Sequence, residues 1–216
     1  AYLDDTKNLT LDLLNSTSSV LGDSTDTDTI ISIENAIGGS GDDIITGTNS
    51  TNILEGSQGD DTFIGLLGND TIYGGVVGSD SGSDTIDYTS ENKINVTLSE
   101  GATVTVDKDN DGVFETSSDD DQDTIYGIEN VTGSNSSING NDTIIGNTQT
   151  NTIKGLLGDD SLNGMAGVDY IYGGDGADNI VGGADADILE GGAGSDTFNA
   201  GTSDINEYTG DNIDGG

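Results

Sequence analysis

The sequence predicts an all-β fold, a parallel β-roll or flattened solenoid in two blocks, with short antiparallel β-strand segments interspersed. Three observations predict it. Glycine returns every nine residues in two unbroken registers, and after each such glycine except Gly74 an Asp or Asn follows by five places and a large apolar residue by seven. A fixed short period of this kind marks a chain whose neighbouring repeats stack on one another.

In the first register glycine opens each repeat at Gly38, Gly47, Gly56, Gly65 and Gly74; in the second it does so at Gly146, Gly155, Gly164, Gly173, Gly182 and Gly191. The oxygen-bearing residues are Asp43, Asn52, Asp61 and Asp70, then Asn151, Asp160, Asp169, Asp178, Asp187 and Asp196. The apolar ones are Ile45, Leu54, Phe63 and Ile72, then Ile153, Leu162, Ile171, Ile180, Leu189 and Phe198. A unit opening at Ser137 joins the second block through Gly140, Asp142 and Ile144. Glycine admits the positive φ angles of a tight turn. Six residues of turn and three of strand make half a coil, with strands about 10 Å long and coils about 4.8 Å apart. Two repeats complete a coil, so repeats n and n+2 share a side. Asp43 should therefore meet Asp61, Asn52 meet Asp70, Asp160 meet Asp178, and Asp178 meet Asp196.

Composition limits what such a stack can do. The 216 residues carry a net charge of -37, with only Lys7, Lys93, Lys108 and Lys154 as cations and no His, Cys, Pro or Trp. Neither a Ser-His-Asp triad, nor a thiol nucleophile, nor a nitrogen and sulfur zinc site can be built from these residues. Nucleic acid is not an expected partner, since phosphate contacts need cations, and no stretch is apolar enough for a membrane span. With 31% hydrophobic and 5% aromatic residues, composition alone would suggest disorder. One inward apolar residue in nine cannot offset the ordering of nine backbones. The residues that remain are hard oxygen donors, which suit Ca²⁺.

The repeat G-G-x-G-x-D-x-U-x, with U a large apolar residue, is clearest in GGSGDDIIT (38–46), GGDGADNIV (173–181) and GGAGSDTFN (191–199). It resembles the repeats-in-toxin (RTX, haemolysin-type) calcium-binding repeats. The resemblance implies a calcium-filled roll holding multiple Ca²⁺ ions, each shared by same-side turns. The candidate ligands are Asp43, Asn52, Asp61, Asp70, Asp84, Asp142, Asn151, Asp160, Asp169, Asp178, Asp187 and Asp196. It further implies that backbone carbonyls complete a shell of about six oxygens: those near Gly39, Gly41, Gly56, Gly59, Gly65 and Gly68, and near Gly155, Gly158, Gly164, Gly167, Gly173, Gly176, Gly182, Gly191 and Gly194. Asn52 and Asn151 depart from the aspartate, and Ser50, Gln149 and Asp185 from the glycine at position four, so those turns should bind less well.

The segments divide as 1–37, strand-rich and flanking; 38–87, first block; 88–136, strand-rich insert; 137–199, second block; and 200–216, trailing. Residues 76–83 lengthen a turn before Asp84 and Ile86 resume the pattern. Alternation at Ile94, Val96 and Leu98 and at Val104 and Val106 predicts antiparallel strands. Tyr2, Lys7, Leu9 and Leu11 align with Tyr88, Lys93, Asn95 and Thr97, which suggests two tandem units. Asp107, Asp109, Asp111 and Gly112 form D-x-D-x-D-G, the start of an EF-hand-like calcium loop or of an acidic hairpin turn. Position 12 is Ser118 rather than Glu, with Glu115, Asp119 and Asp120 near it. The run Asp119, Asp120, Asp121 and Asp123 reads as solvated.

Two functions fit. One is an extracellular, non-catalytic stalk, surface-layer or filament segment that rigidifies on binding Ca²⁺, with homo-assembly or cell-surface contact bridged by calcium. The other is the RTX calcium-binding module of a secreted enzyme or toxin whose active domain lies elsewhere. The resemblance implies type I secretion and folding outside a bacterial cell. The end at Gly215 and Gly216, like the opening of another repeat, suggests a segment of a longer protein. Threonine pairs such as Thr25 with Thr27 and Thr103 with Thr105 are too few and unphased for an ice- or polysaccharide-binding face.

Overall fold

A computed structural model of the chain describes residues 7–15, 17–20, 23–29, 31–75, 82–99, 101–107, 114, 120–137, 140–199 and 212–214. Every regular element among them is a strand. The first are β1 (Leu9–Asp12), β2 (Thr17–Val20), β3 (Asp23–Thr29), β4 (Asn35–Gly39), β5 (Ile44–Thr46), β6 (Ile53–Ser57), β7 (Thr62–Ile64), β8 (Thr71–Gly75) and β9 (Thr85–Asp87). Next come β10 (Ile94–Thr97), β11 (Ala102–Val106), β12 (Asp121–Tyr126), β13 (Asn130–Thr132) and β14 (Thr143–Ile145). The last are β15 (Thr152–Leu157), β16 (Ser161–Ala166), β17 (Tyr170–Asp175), β18 (Asn179–Ala184), β19 (Ile188–Ala193), β20 (Thr197–Asn199) and β21 (Asn212–Asp214). They form two units: residues 1–87, 100–103 and 121–128, and residues 88–99, 104–120 and 129–216.

In the first unit the parallel ladder β9-β7-β5-β1 makes one wall and β12-β8-β6-β4 the other. Alternate strands share a wall because each repeat is half a coil. Ile45 accordingly stands on Phe63, and Leu54 on Ile72, eighteen residues apart. The antiparallel strands β2 and β3 extend the first wall beyond β1. β12 lies parallel to β8 with Ile125 on Ile72, and the rings of Tyr73 and Tyr126 stack 4.8 Å apart on the outer face. Residues 121–126 are therefore a rung of the roll, although the sequence pattern put them in the insert.

The second unit repeats the plan, with β21-β19-β17-β15-β13 as one wall and β20-β18-β16-β14-β10 as the other. β10 also pairs antiparallel with β11, as the alternation predicts, with Ile94 opposite Val106. Strands β15 to β19 run for six residues where three were expected, because pairing continues into the turn, for example Leu156 with Gly174 and Met165 with Gly183. The internal alignment needs correction by one residue. Leu11 stands on Ile45 as Val96 stands on Ile144, so Leu9 matches Ile94 and Leu11 matches Val96. In a strand a slip of one residue turns every side chain to the opposite face.

The core is one apolar side chain wide. Ile45, Leu54, Phe63, Ile72, Ile86 and Ile125 in the first unit, and Ile144, Ile153, Leu162, Ile171, Ile180 and Leu189 in the second, are at most 1% exposed. Phe198, in the same position of its repeat, is only partly covered. Each residue on either side of these points outward, and the buried groups in the turns are mostly carboxylates, with Asn52, Asn151 and Ser134 among them.

Candidate metal centre

Each turn begins at the first glycine of a repeat and ends at the Asp or Asn in position six, whose side chain folds back under the turn. Same-side residues meet as the eighteen-residue spacing requires. The backbone N–H of Asp43 donates to Oδ1 of Asp61 at 2.7 Å, and that of Asn52 to Oδ1 of Asp70 at 2.8 Å. Asp142 donates in the same way to Asp160, Asp160 to Asp178, Asp178 to Asp196, Asn151 to Asp169 and Asp169 to Asp187, at 2.7 to 3.1 Å. Asp84 takes the next rung above Asp61. One carboxylate oxygen of each Asp is thus committed to the ladder.

The other oxygen differs. Oδ2 of Asp160, Asp169, Asp178 and Asp196 is buried and accepts no hydrogen bond. It lies against the first glycine of its own turn, where a Cβ would collide with it. The carbonyl oxygens of Gly173, Gly182 and Gly191 sit 2.5 to 2.6 Å from where a Cβ would stand on Gly155, Gly164 and Gly173. Glycine is required here because the space is lined by oxygen from two turns. Burial, with repulsion from Asp142, Asp178 and Asp159, pushes the Asp160 carboxyl up to about 8, and burial pushes Asp169 to about 7 and Asp142 to about 6. Asp178 is raised for the same reason. Buried acceptors without a donor are costly, and a row of them is the arrangement that a hard cation would relieve.

No three acidic side chains converge among the described residues, so a full shell must draw on main-chain carbonyls. The backbone supplies them by unusual means. Position two is left-handed at Ser57, Leu66, Leu156, Met165, Gly174, Gly183 and Gly192, with φ between 66° and 123°. Position four is left-handed in the same turns, at Gly59, Gly68, Gly158, Gly167, Gly176, Asp185 and Gly194. Left-handed geometry costs Ser, Leu or Met about 1–2 kcal/mol, and such strain concentrates at functional sites.

The nonapeptide pattern of the RTX calcium-binding repeat matches residues 33–62, 46–76, 138–171 and 172–204, four copies spanning just over half of the chain. The chain belongs to the RTX calcium-binding nonapeptide repeat family. No curated protein matches it. RTX repeats bind calcium and form a structural fold, and the donors here fit that ion: carboxylates and carbonyls, in a chain that has no His or Cys.

Several residues stand differently from the sequence expectation. The glycine under Asp142 is Gly133, not a residue of a unit opening at Ser137, so that turn is four residues longer than expected. Asp84 lies similarly under Gly74, across the lengthened segment. Asp107 is fully buried; its N–H donates to the Lys93 carbonyl at 2.9 Å and its carbonyl accepts from Asn92 Nδ2 at 3.3 Å. Asp109 and Asp111, with Glu115 and Asp119, lie outside the described residues, as do Tyr2 and 200–211. Asp120, Asp121 and Asp123 are at most 6% exposed, so the acidic run is not solvated there. Asp123 accepts the Asp70 N–H at 2.9 Å and is the next rung on its side. The signal that could have found it is Asp123-Thr124-Ile125, the same triplet as Asp70-Thr71-Ile72 and Asp84-Thr85-Ile86.

Proposed function

We propose that this chain is an extracellular structural segment, of stalk, surface-layer or filament type, that folds and stiffens as several Ca²⁺ ions enter its turns. The observation that carries the reading is the row of buried Oδ2 atoms at Asp160, Asp169, Asp178 and Asp196 that accept no hydrogen bond. Calcium would supply the positive charge that cancels repulsion along that row. The chain does the rest. Asp61 and Asp70 in the first unit, and Asp160, Asp169, Asp178, Asp187 and Asp196 in the second, would offer carboxylates. The carbonyls of the first and fourth residues of the left-handed turns, such as Gly155 and Gly158 or Gly173 and Gly176, would face them. The strand ladders hold successive turns in register, and the thin apolar core excludes water from behind the site.

A non-catalytic role fits the residue types: without His or Cys the chain has neither a histidine base nor a thiol nucleophile. An ion that binds only the folded state stabilises it by mass action, so calcium at extracellular levels would switch the chain from expanded to compact. Exposed carboxylates at the end of a stack could share an ion with another copy or with a cell surface. Circular dichroism in excess chelator and again in millimolar Ca²⁺ tests the folding claim: a gain of β-signal is expected, and an unchanged spectrum would refute it. Light scattering indifferent to chelator would remove the bridging claim.

A further inference from the structure

Not every turn is built alike. In the turns Gly47–Asn52 and Gly146–Asn151 the second residue is not left-handed, and its N–H points inward. Thr48 N–H donates to Asn52 Oδ1 at 2.6 Å, and Asn147 N–H to Asn151 Oδ1 at 2.8 Å. The amide Nδ2 then donates to the coil below, from Asn52 to the Glu34 carbonyl at 2.6 Å and from Asn151 to the Glu129 carbonyl at 2.8 Å. Both amides are fully buried, and their orientation is fixed: an N–H meets the oxygen and a carbonyl meets the NH₂. The third such turn is Gly133–Asp142, where the Ser134 N–H donates to Asp142 Oδ2 at 2.7 Å and its hydroxyl reaches Oδ1 at 3.1 Å.

We propose that these three turns are permanently closed, cation-free turns, and that the turns whose second and fourth residues are left-handed are ones that ions enter. The inference rests on the calcium reading above and refines it. In a closed turn the backbone presents N–H dipoles to the position-six oxygen, which satisfies it and repels a cation. In the open turns ending at Asp160, Asp169, Asp178 and Asp196 that residue is left-handed and Oδ2 accepts no hydrogen bond, which leaves it for metal. Asn52 and Asn151 then act as amide clasps: each joins its own turn to Glu34 or Glu129, where a carboxylate would set oxygen against the carbonyl. Their neighbours Asn35 and Asn130 clasp the adjoining strand, accepting from the N–H of Ile53 at 2.7 Å and Thr152 at 2.8 Å. The same clasp in both units gives each stack a turn whose register does not depend on calcium. Asp185, though not glycine, keeps φ at 77°, so its turn belongs with the open ones, whereas Ser50 and Gln149 at the same position mark closed ones.

Equilibrium dialysis against Ca²⁺ tests this on the full chain. Asn151→Ala and Asn52→Ala should melt at lower temperature yet bind as many ions as the unaltered protein, whereas Asp169→Ala should bind fewer. An asparagine variant that folds and binds fewer ions overturns the proposal. Should the variants not fold, hydrogen exchange on the unaltered, calcium-loaded protein decides: protected Thr48 and Asn147 amides support closure, and rapid exchange at both overturns it. Failure of the unaltered chain to bind any calcium would sink the underlying reading, a result distinct from ion loss in the asparagine variants alone.

Discussion

Without calcium the roll should be held together in acid, where protons stand in for the ion, and lost toward neutral pH, where the chain is expanded. Burial holds Asp160 at about 8 and Asp169 at about 7, against an ordinary value of 3.8. Both folded values lie above the unfolded one, so each carboxyl contributes stability that is complete below pH 4 and is lost as pH climbs through its folded value. Between about pH 4.5 and 6.5 the folded chain holds one more proton at each site than the unfolded chain. Each such proton is worth about 1.4 kcal/mol per pH unit, less where solvent reaches the group. The two together give a slope of up to about 3 kcal/mol per pH unit, steep enough to unfold a domain of marginal stability. With calcium saturating, the ion takes the place of the protons and the slope should reverse, since acid then competes with metal. Urea unfolding followed by circular dichroism from pH 4.5 to 7.5, in chelator and in calcium, measures both slopes. Chelator-treated protein that gains stability with rising pH would refute the reasoning.

Three further outcomes follow from the packing. Gly164→Ala places a Cβ against the Asp169 carboxylate and 2.6 Å from the Gly182 carbonyl, so it should cost about 1–3 kcal/mol and weaken calcium binding in calorimetry. Ile171→Ala empties a fully buried core position and should cost about 2–5 kcal/mol, seen as a lower melting temperature even in excess calcium. Asp123→Ala leaves the Asp70 N–H without its acceptor and should cost about 1–3 kcal/mol by urea titration; a neutral result would return Asp123 to the solvated run.

The roll was legible because its period is rigid: once Gly155, Asp160 and Leu162 are read as one repeat, the eighteen-residue register and the inward residue follow. Asp123 was hidden because its triplet sits in an acidic run, fifty-three residues beyond Asp70, and no period reaches across that gap. Gly133 was missed for the same cause, since the residues between it and Asp142 break the spacing. The difference between closed and open turns was half visible. Ser50 and Gln149 flagged the closed turns, but the same rule flagged Asp185, whose backbone accepts the left-handed strain. Composition states which residues favour positive φ, whereas the stack above and below decides which must adopt it.

The most direct test of the account is diffraction from calcium-grown crystals at a wavelength where calcium scatters anomalously. Peaks are predicted between the turns ending at Asp160 and Asp178 and between those ending at Asp169 and Asp187, with Oδ2 and turn carbonyls around each. Well-ordered turns with no peak, or aspartates swung outward into solvent, would contradict it.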